Sequence, residues 1–525
     1  MSVQGWLLFV LLVQVIHGLG TWKLYVKAGR QAWEAFVPIY NAIILMKIIN
    51  RPTWWTLLLF IPVINLFLFP IIWIETLRTF GKKSTQDMVL GVVTLGFYIL
   101  YVNYTQEVTY FANRDLKAPT KAMDTLGSLA FAIVVATFVH TYFVQPYVIP
   151  TSSLEKSLLV GDFLFVSKFN YGARVPMTTF AAPMVHDTLP VIKVKSYTTF
   201  PQLPYFRLPG FQKIERNDIV VFNWPTDTLY HMYKPADRRY DKPIDKKTNY
   251  VKRCVGIAGD SLQIKDGIIF INGKESILPD RAKPQYSYKV AIDGKTSINF
   301  EYVINELDIT DGAYRPYQDT LIFNALTFNS AERLKSMPGI TKVERIIHNT
   351  VEDGIFPDFK DGNDPIDNKW NNDNFGPIYI PEAGKTVAIN RKTLPFYKKI
   401  INEYEGNTLE VNGDEIRING QVATSYTFKQ DYYWMMGDNR HNSLDARYFG
   451  YTPADHIVGK PIFIWMSWNS NGKGIMNKIR WERLFTTVSG TGQPQSYFRY
   501  FLILLALYFV GDYFWKRKKR AKETL

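Results

Sequence analysis

From Leu126 to Thr151 the chain carries no charged side chain, a run long enough to cross the hydrocarbon core of a bilayer. Backbone amides in that core have no water to bond, so most of the run is expected to be a transmembrane helix. Overlapping its end is Ile149-Pro-Thr-Ser-Ser-Leu-Glu-Lys-Ser-Leu-Leu-Val-Gly-Asp162, with two adjacent serines after a proline, a return to apolar residues and a Gly-Asp turn. A reactive hydroxyl tethered a few residues beyond a span can act only on something that also lies at the membrane surface.

A second apolar run, Tyr497 to Trp515, is followed at once by Lys516-Arg-Lys-Lys-Arg520, and Arg114, Lys117 and Lys121 precede the first run. Basic residues mark the cytoplasmic ends of spans, so both signals place the region between them on the outer side of the membrane. No run of spanning length lies between Gln145 and Ser496. The net charge of +14 is dispersed apart from the tail. Beside an apolar segment such a tail reads as a membrane anchor, so a lipid bilayer is the expected partner and nucleic acid is not. Before Leu126, Gly5–Gly20 is slightly short for a span and lacks the flanks of a removable signal peptide. Ala35–Asn50 is interrupted by Pro38, Asn41 and Lys47 and reads as interfacial or re-entrant. Thr53–Ile74 has no charge and opens on Trp54-Trp55, so it is predicted to span despite Pro62, Asn65 and Pro70. With Met88–Tyr104 as a further candidate, about four or five crossings are expected there.

At 525 residues the chain needs more than one folding unit. The middle is predicted to be β-rich, with short β-branched or aromatic runs at Phe163–Val166, Asp218–Phe222, Tyr250–Ile257, Gly267–Ile271 and Lys460–Met466. Thr393–Tyr404 is a short helical pattern among them. The expected fold is membrane-anchored and mainly β, with an antiparallel catalytic core. The expected division is a multi-span region 1–125, a transmembrane helix 126–145, a core in two parts, 146–262 and 431–496, around a β-rich insert 263–430, a helix 497–515 and a basic tail 516–525. Asp358–Asn374 is dense in Asp and Asn, but its spacing does not follow a calcium-binding loop and it reads as solvated. The single cysteine, Cys254, excludes an intramolecular disulfide.

Three stretches carry chemistry: the serine stretch, Tyr250-Val-Lys-Arg-Cys-Val-Gly-Ile-Ala-Gly-Asp260, and Met436-Gly-Asp-Asn-Arg-His-Asn-Ser-Leu-Asp-Ala-Arg-Tyr-Phe-Gly450. In this order beside a span they resemble type I signal peptidases, membrane-bound Ser/Lys proteases that remove signal peptides from exported proteins. Arg216-Asn-Asp-Ile-Val-Val-Phe222 resembles that family's remaining short motif, and the likeness runs from about Pro146 to Met466 around the insert. The family serine motif, Ile-Pro-Ser-Gly-Ser-Met-x-Pro-Thr-Leu, laid on this chain without gaps places the nucleophile on Ser153 and the oxyanion-assisting hydroxyl on Thr151. Leu154, Lys156 and Ser157 stand where the family has Met, Pro and Thr, and Ser152 occupies a glycine position.

A serine hydroxyl needs a neighbouring base, and a lysine serves only when neutral, with its pKa brought down from about 10.4 by burial. Lys252 is the expected base. Strand alternation puts Tyr250 and Cys254 on its face and turns Val251, Arg253 and Val255 away. Glu155 is a nearby carboxylate that would favour the charged amine. The resemblance implies that Ser443 bonds the lysine amine and that Asp438, Asp445 and Arg447 hold the loop through ion pairs. It further implies that Ile149, Leu154, Leu158, Tyr250 and Val251 line shallow pockets for small side chains of a preprotein signal peptide laid as an added strand. No metal or other cofactor is expected. The resemblance locates the protein in the cytoplasmic membrane of a bacterium with its catalytic domain outside. His441 invites a Ser-His-Asp alternative that geometry must decide. The other readings are a catalytically silent signal-peptide-binding scaffold, a channel or transporter, whose pathway would require more ionisable residues in the spans, and a self-cleaving repressor-type protease, which needs no spans.

Overall fold

The computed structural model describes residues 3–62, 64–116, 121–232, 238–296, 298–307, 309–357 and 370–523. Lys117 of the first basic cluster and residues 358–369 of the Asp- and Asn-rich stretch lie outside them. The chain divides into two compact units. One comprises Met1–Phe143, Ala173–Leu208 and Lys242–Lys246; the other comprises Val144–Gly172, Pro209–Asp241 and Lys247–Leu525.

The first unit is built on helices. Val3–Lys27 is longer than its apolar run because Leu24 and Tyr25 turn into a core with Met46, Ile49, Ile72 and Phe80. Asn41 of the interrupted run starts the helix Tyr40–Ile48 buried, its amide donating to Gln14 Oε1 at 2.7 Å. The expected single span Thr53–Ile74 is not formed. Helices Trp55–Leu58 and Ile64–Thr79 replace it, because Pro62 disfavours helical geometry in the residue before it. Met88–Tyr104 is likewise divided into Thr85–Val93 and Phe97–Thr105, parted by left-handed Leu95 and Gly96. A Cβ at Gly96 would fall 2.6 Å from the indole nitrogen of Trp73, so the break is also a close packing point. Among the described residues three helices are long and apolar enough to cross a membrane: Gln4–Lys27, Met123–Tyr142 and Phe498–Lys518. Of these, Gln4–Lys27 and Met123–Tyr142 precede the middle region. Counting apolar residues could not register the turns at Pro62 and Gly96.

The helix of the Leu126 run ends at Tyr142, and β1 (Val144–Val148) follows. β1 is an edge of an eight-stranded antiparallel sheet. From it the order is β2 (Asp162–Ser167), Ile457–Ser467, β3 (Ile219–Asn223), β4 (Asn249–Gly256), Tyr432–Met436 and Thr452–Pro453, with Thr486–Thr487 beside the long strand. In the β3–β4 pair Val220 faces Lys252 and Ile219 faces Arg253. The period-two alternation of these strands feeds two cores. Val220, Phe222, Cys254 and Trp434 enter one, and Ile149, Leu158, Leu164, Ile219 and Val221 the other. The protein is thus a mainly β body carried by apolar helices.

Within the stretch read as an insert, Gln285–Ile292 is central in a four-stranded sheet with Ile340–Arg345, Thr320–Thr327 and Ala313–Tyr317. That sheet has its own core around Val290, Leu321, Phe323 and Leu334. The later part behaves differently: Ile378, Ile380, Tyr397 and Phe428 share the core of Trp434. The Thr393–Tyr404 pattern forms the α-helix Leu394–Lys399 and a π-turn, Ile400–Tyr404.

Candidate active site

Two backbone bonds close the serine stretch into a loop: Ile149 N–H donates to Asp162 O, and Gly161 N–H donates to Ile149 O, each at 2.9 Å. Gly161 has φ +88°, and a Cβ there would lie 1.9 Å from the carbonyl oxygen of Trp468, so the turn tolerates only glycine. Inside the loop Ser152–Leu154 forms a 3₁₀ turn. Side chains there do not alternate as in a strand, because the turn rotates each by about a third of a circle. Ser153 and Leu154 are buried by it, whereas Thr151 at its start is exposed.

Lys252 arrives from β4. Its amine lies 2.5 Å from Ser153 Oγ and 5.5 Å from the centre of the Tyr250 ring. Burial pushes the lysine pKa down to about 8; the negative charges of Asp445 and Asp438 oppose the shift and Arg447 adds to it. Glu155 is not among the groups acting on Lys252. Burial raises its own pKa, which weakens the carboxylate charge expected beside the base, although Lys156 pulls the other way.

The loop after Tyr432–Met436 is held by two buried ion pairs. Arg253 places Nη2 2.6 Å from Asp438 Oδ2, and Arg447 places Nη2 2.8 Å from Asp445 Oδ2. Burial disfavours both carboxylates, but the guanidiniums outweigh it and keep both below their ordinary pKa. Ser157 Oγ also donates to Asp438 Oδ2 at 2.5 Å, and Gly437 N–H donates to Asp445 Oδ2 at 3.1 Å. The pairing of Asp438 with Arg253, far away in the chain, had no signal in the loop itself.

The structure brings Ser153 and Lys252 together and packs Asp438, Asp445 and Arg447 around them. The expected bond from Ser443 to the lysine amine is not made; the Ser443 hydroxyl is buried with no hydrogen-bond partner. A Cβ on Gly437 would fall 2.2 Å from that hydroxyl and 2.6 Å from the Ser153 carbonyl, which fixes Ser443 close to the nucleophile's backbone. Of the expected pocket residues, Ile149, Leu154 and Leu158 are 3%, 1% and 0% exposed and pack in one core. Tyr250 and Val251 are half-buried.

His441 belongs to a different network. Its Nδ1 accepts the Ser287 backbone N–H at 3.1 Å, so Nε2 carries the ring proton, 2.9 Å from Asp373 Oδ1. Asn371 and Asp373 are buried, so this end of the stretch read as a solvated loop is structural. Among the described residues His348, Asp373 and His441 bring possible ligand atoms within 4.8 Å of one another. A metal at His441 Nε2 would need the proton moved to Nδ1, where the Ser287 N–H already points. The cluster is built as a hydrogen-bonded brace. Asp311, Asn439 and Asn442, next to Ser152, are the functional-loop contacts that sequence reasoning missed.

Comparison with known proteins gives two matches along the chain. The family described as signal peptidase, peptidase S26, matches residues 122–319 and 335–468. A family of unknown function matches residues 33–113. Relatives named signal peptidase I include one from Buchnera aphidicola subsp. Schizaphis graminum, 26% identical over 360 residues, covering 69% of this chain and 80% of the relative. Another, from Rickettsia akari, is 22% identical over 382 residues, covering 70% of this chain and 93% of the relative.

Proposed function

The chain belongs to the signal peptidase family, peptidase S26, and on that premise we propose that it is a serine endopeptidase that removes N-terminal signal peptides from exported preproteins. In this reading Ser153 is the nucleophile and Lys252 the general base. The observation that carries it is the 2.5 Å separation of Lys252 Nζ from Ser153 Oγ at a lysine whose pKa burial lowers to about 8.

The neutral amine takes the Ser153 proton as Oγ attacks the scissile carbonyl, and the ammonium returns it to the departing amine, leaving an acyl-serine. Water then enters by the same base and releases the new carboxylate. Thr151, exposed at the mouth of the turn, is the proposed side-chain donor to the oxyanion. A substrate laid as an added strand fits the edge position of β1. Half-buried Tyr250 and Val251 are the proposed pocket walls, with Ile149, Leu154 and Leu158 as the packed layer behind them. Small pockets select small residues before the cut.

The relatives are bacterial and three helices among the described residues are apolar and of spanning length, which makes this a bacterial membrane protein. We place the catalytic body on the outer face of the cytoplasmic membrane, from the basic residues flanking the spans. Purified full-length protein in detergent is expected to cut a preprotein peptide once, after a small residue, and Ser153→Ala to abolish the cut. No cleavage by the unmodified protein between mildly acid and alkaline pH would overturn the reading.

A further inference from the structure

The sheet around Gln285–Ile292 reaches the loop that follows Tyr432–Met436 at several points. Gln285 N–H donates to Asp438 O at 2.8 Å, and Arg440 N–H donates to Gln285 O at 3.0 Å. Asp311 comes from the same sheet, in the turn before the strand Ala313–Tyr317. Its backbone is tethered from behind, because Asn324 Nδ2 donates to Asp311 O at 3.0 Å and Asn324 N–H to Gly312 O at 3.3 Å. The carboxylate faces two amides of the loop. Asn439 Nδ2 donates to Asp311 Oδ2, and Asn442 Nδ2 donates to the same oxygen at 3.0 Å.

Those two amides hold the residue before the nucleophile. Asn439 Nδ2 also donates to Ser152 O at 3.3 Å and Asn442 Nδ2 to Ser152 Oγ at 3.2 Å, while the Asn439 backbone N–H donates to Ser153 O at 3.1 Å. An asparagine amide can be turned over at little steric cost, and its partners decide which end points where. Asn439 Oδ1 is buried without a partner, so the oxygen end does nothing to choose. Turned over, that oxygen would face two other oxygens, the Ser152 carbonyl and the Asp311 carboxylate. An ionised carboxylate only accepts, so it admits one orientation of both amides.

We propose that Asp311 is a positioning residue for catalysis: it fixes the Asn439 and Asn442 amides and through them the peptide that carries Ser153. The inference rests on Ser153 being the nucleophile. It gives the inserted sheet a part in the reaction without any contact with substrate. In this proposal its effect is geometric, so the ionisation of the base should be unchanged.

The test compares Asp311→Ala, Asp311→Ser and Asp311→Asn in the full-length protein, on the peptide that the unmodified protein cuts. For Asp311→Ala and Asp311→Ser, kcat is expected to fall about 10–100-fold, as for a misplaced reacting group, with KM within about twofold and the pH midpoint unmoved. Asp311→Asn, whose side-chain oxygen can still take both amides, is expected to recover to within about threefold of the unmodified rate. Adding Asp311→Ala to Asn442→Ala should cost less than the two separate losses multiplied together, since both act through one contact. Undiminished kcat in the Ala and Ser variants, a shifted pH midpoint, no recovery in Asp311→Asn, or fully multiplicative losses would each overturn the proposal. Should Asp311→Ala fail to fold, Asp311→Ser and Asp311→Asn decide alone. An unmodified protein that cuts nothing would instead overturn the function.

Discussion

Lowering the pH should switch the enzyme off at a point set by the burial of Lys252. An exposed lysine with a pKa of about 10.4 would be neutral in roughly one molecule per thousand at pH 7.5. At the value of about 8 imposed by the apolar surroundings, about a quarter are neutral. That difference corresponds to about 3 kcal/mol between the two protonation states. In the proposed mechanism activity requires the neutral amine, so it is present above the folded-state pKa and lost as pH falls through it. Between pH 9 and pH 6 the neutral fraction drops from about 0.9 to about 0.01, and kcat/KM should fall roughly 90-fold. The assay is initial-rate cleavage of a fluorogenic preprotein peptide by the full-length protein in detergent, from pH 5.5 to 10, with stability followed in parallel. A midpoint near 6.5 would remove Lys252 from the role of base. A flat profile would remove the lysine base altogether.

Kinetics on the serine stretch should rank three variants: Ser153→Ala without measurable turnover, Thr151→Ala slowed by about 10²–10³, and Ser152→Gly active. Activity in Ser153→Ala with none in Ser152→Gly would place the nucleophile one residue earlier. Gly437→Ala should abolish cleavage and lower stability by about 1–3 kcal/mol in chemical denaturation, because its Cβ has room neither beside Ser443 Oγ nor beside the Ser153 carbonyl. Asp438→Ala should cost about 3–5 kcal/mol by leaving the Arg253 guanidinium buried and unpaired; a loss under 1 kcal/mol would show that water reaches it.

The pairing of Ser153 with Lys252 was legible because each lies in a short motif whose chemistry needs the other. The β-rich middle was legible from β-branched and aromatic runs such as Phe163–Val166 and Asp218–Phe222, which became β2 and β3. What escaped depended on how the chain turns. The burial of Leu154 and Leu158 was not legible, because it depends on how the serine stretch folds back around the 3₁₀ turn Ser152–Leu154. Thr53–Ile74 read as one span because hydropathy adds residues across Pro62 as if the helix continued. The contacts of Asp311 with Asn439, and of Asp373 with His441, join positions far apart in the chain, and no local pattern announces either.

β4 is lined on both of its faces by packed side chains, Val251 on one and Cys254 on the other, and the lysine shares the face of Cys254. Any substitution that loosens either side, even one remote from Ser153, admits water and returns Lys252 toward its ordinary basicity. In this protein the pH optimum and the melting temperature are therefore coupled traits. A library selected only for heat resistance would also be sorted for activity at lower pH, and a clone that tolerates core damage would betray itself by needing alkali to work.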